Sequence, residues 1–162
     1  MMVDIDRLVE SAVWGVGALL ILLFVPKKKY REAWISFLFM SVPIWISGLF
    51  VVQFGLVEYP SRFMAAAMNT SFTYEFFALP VISVLYNQYY PSDKSLPLRL
   101  GYILSYSIVL TVTEIILEAY TDLVEYIHWN WFMTFLSVML ILQVSYWFYV
   151  WFIKGAKRVT WV

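Results

Sequence analysis

Cysteine is absent from the 162 residues, and histidine occurs once, at His128. Without cysteine there can be no disulfide, thiolate nucleophile, iron–sulfur cluster or cysteine zinc site, and the redox compartment is left undetermined. Charge is also scarce, with Asp, Glu, Lys and Arg making up 14% of the chain. The eleven basic residues lie in short clusters beside apolar runs. They form no stripe that could track a phosphate backbone, so no nucleic-acid partner is expected. No nucleophile elbow, phosphate-binding loop, paired His–Glu metal motif or Ser–His couple occurs. Catalytic residues are therefore unknown and no cofactor is expected.

What the chain has in quantity is apolar surface. Hydrophobic residues reach 62%, aromatics 20%, and the mean hydropathy is +0.75, too apolar for a soluble domain of this length. A helix needs ~20 mostly apolar residues to cross a bilayer, and five stretches qualify, roughly 8–26, 34–57, 71–90, 98–119 and 129–153. The segments between them are short, and none resembles a soluble domain, a linker or a repeat. The expected fold is all-α: a polytopic membrane helix bundle of about five transmembrane helices forming a single transmembrane domain over 1–162. The first run could pass for a secretory signal. Its leading segment, however, carries Asp4, Asp6 and Glu10 against Arg7, no small-residue cleavage site follows, and Lys27–Lys29 stand directly behind it. It reads as a retained, reversed anchor.

Orientation follows from the basic residues. Lys27, Lys28, Lys29, Arg31, Lys94, Arg99, Lys154, Lys157 and Arg158 fall on one side of the expected bundle, and Arg7 and Arg62 on the other. The positive-inside rule makes the first side cytoplasmic, with the amino terminus outside and the carboxyl terminus inside. The lysine triplet can also reach anionic head groups, at ~1 kcal/mol each. Ser11 with Gly15, and Gly48 with Gly55, have spacings expected of close helix approach. Pro43 and Pro80 each free a carbonyl one turn earlier.

One stretch raises the functional question: Ser71–Pro80, SFTYEFFALP, sets a glutamate among four aromatic rings. Asn69, Thr70 and Ser71 are good N-cap types. Behind such a cap Glu75 lies near the positive end of the helix dipole, only ~6 Å below the helix start. On the fourth span, Ser107, Thr111, Glu114, Glu118, Asp122 and Glu125 follow at steps of three or four and share one helix face. That face should turn to other helices or water, with Glu114 deeper than Glu118. Arg62, presented by Glu58-Tyr59-Pro60, is expected near Glu58, Glu75 and Glu114, making charge-assisted bonds. The candidate polar cluster is therefore Glu58, Arg62, Glu75, Glu114 and Glu118, with Tyr74, Asn87, Asp122 and His128 as secondary candidates. His128 reads as an interfacial anchor. Asn87 and Ser83 are expected to bond across helices. A hard-cation site of Glu75, Glu114 and Glu118 has no supporting ligand spacing, so no metal is expected.

GLVEYPSRF, NTSFTYEFFALPVISVLYNQYYP and EAYTDLVEYIHWNW resemble the recurring motifs of an uncharacterised family of small integral membrane proteins found mainly in endospore-forming Gram-positive bacteria. The similarity runs from about Lys27 to Lys154. It implies a five-helix protein of the bacterial cytoplasmic membrane and supplies no activity. Three functions are therefore weighed. The first is a non-enzymatic membrane protein that binds a partner protein, lipid or small ligand through the polar cluster. The second is a small transporter or channel subunit using the membrane carboxylates. The third is an intramembrane enzyme working on a lipid-like substrate by carboxylate acid/base chemistry, in a pocket lined by Tyr74, Phe76, Phe77 and Trp129. Beside the lipid bilayer, the expected partners are a second copy of the chain or another membrane protein.

Overall fold

The computed structural model describes residues 2–159. Five helices run back and forth between two ends of a bundle: α1 (Met2–Phe24), α2 (Tyr30–Gln53), α3 (Leu79–Tyr89), α4 (Leu96–Tyr120) and α5 (Trp131–Val159). Lys27–Lys29 form a 3₁₀ turn between α1 and α2, and a π-helical turn, Tyr74–Ala78, leads into α3. Among the described residues, four stretches are long and apolar enough to cross a membrane: Ile5–Phe24, Lys27–Gln53, Leu96–Tyr120 and Trp131–Ile153.

The helical run at 72–89, which holds the π turn and α3, is shorter and more polar, and it is the most enclosed. Leu79, Pro80, Val81, Ser83, Val84, Tyr86 and Asn87 are all buried. It fills the centre, where Leu79 and Tyr86 meet Met40 and Ile44 of α2 and Val138 and Leu142 of α5. By contrast α1, α2, α4 and α5 expose large apolar side chains such as Leu22, Leu38, Val109 and Trp147. Helices apolar on their outer faces suit a hydrocarbon surround.

The two ends differ in chemistry. At one, the segments after α2 and α4 pair as a two-residue antiparallel ribbon, β1 (Val57–Glu58) and β2 (Glu125–Tyr126), matching Val57 with Tyr126 and Glu58 with Glu125. Ile127 and His128 also donate backbone N–H groups to Leu56 O, and Ser61 donates to Asp122 O. At the other end stand the exposed Lys27–Lys29 and a cage of Tyr86, Tyr90, Tyr102 and Tyr106, with Arg99 5.6 Å over the Tyr90 ring. The side chains of Lys154, Lys157 and Arg158 lie outside the described residues.

Several sequence expectations need correction. The second span stops at Gln53, short of 57, because Gly55 (φ +61) ends it. Leu56 N–H reaches Val51 O and Gly55 N–H reaches Val52 O, the paired bonds of a glycine-terminated helix. Gly55 is thus a helix stop and not a packing glycine. Ser11 and Gly15 are exposed, and nothing lies within 4 Å of a side chain built at Gly15. On α1 it is Gly17 that packs, against the Phe77 ring. The fourth helix ends at Tyr120, so Asp122 and Glu125 leave the acidic face and are exposed with Glu118. Only Ser107, Thr111 and Glu114 turn inward.

Candidate functional site

A cavity of about 520 Å³ lies between α2, α3 and α5 near the ribbon end. Its upper wall holds Tyr59, Tyr74, Glu75, Glu114, Trp129 and Thr134, and its lower wall is mostly apolar, with Pro43, Ile44, Val138, Ile141 and Val144. At 1.5 Å of rise per residue, Thr134 lies ~5 Å below the start of α5 and Val144 ~20 Å below it. The cavity is therefore polar at one end and greasy along most of its depth. Its α2 and α5 rims carry Phe50 and Leu140, 59% and 63% exposed, so the space opens sideways through an apolar margin.

Glu114 is the better furnished of the two carboxylates. Tyr126 and Thr134 donate to its Oε1 at 2.6 and 2.8 Å, and Tyr74 donates to Oε2 at 3.1 Å. Trp129 in turn donates its indole N–H to the Thr134 hydroxyl at 2.8 Å. Each donor comes from a different place: the π turn, β2 and the first turn of α5. The ribbon brings Tyr126 over the end of α4, and so the zipped loops complete this carboxylate's shell. Burial, and then the bond to Glu114, push the Tyr126 phenol above its ordinary range. Burial does the same for Tyr59, with the charges of Glu75 and Glu114 adding to it. Both phenols stay protonated and able to donate.

Glu75 has the opposite surroundings. It is 1% exposed and neither carboxylate oxygen makes a well-formed hydrogen bond, although the fully buried Thr70 hydroxyl, itself without another partner, stands beside it. Ser71 caps the helix as expected, accepting from Tyr74 N–H at 3.3 Å. The Leu79 N–H bonds back to Tyr74 O, the wide turn that a π segment makes, and Pro80 follows with no N–H to offer. The side chain of Glu75 rests against Gly48 of α2, where a built Cβ would collide with Oε1. Only a residue without a side chain leaves room for the carboxylate there.

The remaining candidates separate. Arg62 meets none of Glu58, Glu75 or Glu114. Its guanidinium donates to Tyr59 O at 2.6 Å, Met68 O at 2.7 Å, Ala65 O at 3.5 Å and Asn69 Oδ1 at 3.3 Å. It organises its own loop, because backbone acceptors within seven residues fill its fork first. The salt bridge found among the described residues is elsewhere, an exposed Lys94–Asp93 pair, worth little in water. Glu58 and Glu118 are exposed, as are Asp122 and His128. Asn87 does bond across helices, donating to Ser36 and Ser145 hydroxyls at 2.9 Å each. Ser83 instead bonds Pro80 O within its own helix. Of the aromatic lining expected for a substrate, Tyr74 and Trp129 face the cavity. Phe77 stacks on Trp14 at 4.0 Å and Phe76 on Phe72 at 5.1 Å. No cluster of three or more His, Asp or Glu suited to a metal ion occurs among the described residues.

Sequence reasoning missed the part played by α1. Asp6 is fully buried and Glu10 nearly so. Asp6 Oδ1 accepts from Asp122 N–H at 3.2 Å, and Glu10 Oε1 accepts from Phe63 N–H at 3.1 Å and the Thr73 hydroxyl at 3.2 Å. The available signal was their i, i+4 spacing on an otherwise apolar helix, which marks one face as not lipid-facing. A smaller cavity of about 70 Å³ joins this region to the first, since Glu10, Tyr59, Tyr74 and Glu114 all line it.

Neither a family model, a curated protein nor a solved structure matches the chain.

Proposed function

We propose that this chain is a multi-pass protein of a bacterial cytoplasmic membrane that binds an amphiphilic molecule, a lipid or lipid-like ligand, in the cavity between α2, α3 and α5. The observation that carries the reading is the cavity's polarity gradient. Two carboxylates and the polar-edged rings of Tyr59, Tyr74 and Trp129 stand at the ribbon end, apolar side chains continue below them to Pro43 and Val144, and Phe50 and Leu140 form an exposed lateral rim. A head group fits the first region and a hydrocarbon tail the second. In this reading the run at 72–89 is the fifth crossing, shielded from lipid by its neighbours. The lysine end is cytoplasmic by the positive-inside rule, so ligand enters from the outer half of the bilayer. The resemblance to small membrane proteins of endospore formers supports the bacterial setting. A second copy or another membrane protein could dock on the same lateral opening.

The direct test is photolabelling in membranes with an alkyl chain bearing a diazirine. Label is expected at Pro43–Val51 of α2 and Ser137–Val144 of α5, and a Ser137→Trp substitution should reduce it. Label confined to exposed positions such as Leu22 and Val109, unchanged by that substitution, would contradict the proposal.

A transport reading keeps one supporting observation: the small cavity continues polar lining from Glu114 to Glu10. It requires cation or proton flux into sealed vesicles that Glu114→Gln abolishes. Toward the lysine end, however, the buried polar groups described between the cavity and Asn87 are the neutral hydroxyls of Ser41, Ser83 and Tyr86, set among Met40 and Leu142.

A further inference from the structure

The binding reading leaves the head group's chemistry open, and the environment of Glu75 narrows it. Glu75 is 1% exposed, lines the cavity, and neither oxygen makes a well-formed hydrogen bond, the buried Thr70 hydroxyl beside it being a single neutral donor for two oxygens. Glu114 beside it already accepts three hydroxyl bonds. Lys, Arg and His are all missing from the cavity lining. Of the two basic residues at this end, Arg62 is held by its own loop's carbonyls and Arg7 is exposed. The cavity thus holds two carboxyl groups, one of them with its oxygens largely unanswered, and no basic side chain beside them. Tyr59, Tyr74 and Trp129 add the ring types that attract cations. Resting on the amphiphile reading, we infer that the ligand's head group is cationic, an ammonium that bonds the Glu75 carboxylate while its alkyl chain lies along α2 and α5. An ammonium brings up to three N–H donors, enough to satisfy both Glu75 oxygens. Gly48 is a positioning residue: its missing side chain lets the carboxylate sit at the cavity wall, where a Cβ would collide with Oε1.

The experiment compares equilibrium binding of dodecylamine, dodecanol, dodecanoate and butylamine to the full-length protein in neutral-lipid nanodiscs, with empty discs as background. The expected order places dodecylamine about tenfold or more ahead of the alcohol and further ahead of the acid, the gain of a charge-assisted contact. Butylamine should bind far more weakly, which separates a lipid from a soluble amine. Glu75→Gln should bring amine and alcohol to within about twofold of each other, chiefly by weakening the amine. Glu75→Asp should retain part of the preference, and Glu118→Gln, outside the cavity, all of it. If the alcohol binds as well as the amine in the unaltered protein, and Ser137→Trp blocks both, the cationic head group is wrong while the amphiphile cavity stands. If no alkyl probe binds beyond Ser137→Trp levels, both readings fail. If butylamine matches dodecylamine, the ligand is a soluble amine and the lipid assignment is overturned.

Discussion

Glu75 and Glu114 line one cavity, a short distance below the same end of the bundle, yet their surroundings have little in common. Glu114 is enclosed by Tyr74, Tyr126 and Thr134, each donating a hydroxyl. Glu75 is placed by Ser71's cap and Gly48's missing side chain, and has beside it only the Thr70 hydroxyl, with no well-formed bond to either oxygen. A buried carboxylate without partners is costly, and Glu114 shows that this fold can satisfy one. The comparison teaches that the two have different tasks. Glu114 ties the ribbon, α4 and α5 together, whereas in the proposed binding function Glu75 is the group left for a ligand.

Substitutions can break this contrast. The largest effect is expected from Glu114→Gln, which exchanges a charged acceptor for an amide whose NH₂ faces hydroxyl donors. It should lower unfolding free energy by about 3 kcal/mol, read as a fall in the melting temperature of the detergent-solubilised protein. Gly48→Ala should cost about 2 kcal/mol by overpacking against the Glu75 carboxylate. Most of that loss should vanish when Glu75→Ala is also present, and a double-mutant cycle measures the coupling directly. Glu75→Met, similar in volume, should instead raise the stability of delipidated protein by about 1–2 kcal/mol, because it removes an unanswered polar group. Opposite signs at Glu75 and Glu114 are the essential outcome; a loss at both would mean that Glu75 too is structural. Glu118→Gln should move stability by less than about 0.5 kcal/mol, as for an ordinary exposed position.

Four of the helices were legible in the sequence because each is a long apolar run, and hydropathy needs no tertiary knowledge to read it; the run at 72–89 is shorter and more polar. Their ends were less so. Gly55 carried a helix-stop signal that its spacing from Gly48 disguised as a packing motif, and the two glycines turn out to do unrelated things. Within the site, Glu75, Glu114 and Tyr74 could be named because acids in apolar helices stand out. Their partners could not: Tyr126 reaches Glu114 only because β1 and β2 pair across a large sequence separation, and nothing local encodes that register. Arg62 was assigned by charge alone. Sequence-near carbonyls of Tyr59, Ala65 and Met68 captured it first, an outcome set by loop geometry. Asp6 and Glu10 were visible as a spaced pair, but their meaning depended on α1 docking against the loop that carries Phe63 and Thr73.

Native mass spectrometry of the protein released from gently extracted membranes, beside its Ser137→Trp counterpart, tests the central claim most directly. The account expects one amphiphile-sized adduct per chain on the unaltered protein and its loss when the cavity is filled. Bare chains in both samples, or the same adduct on both, would contradict it.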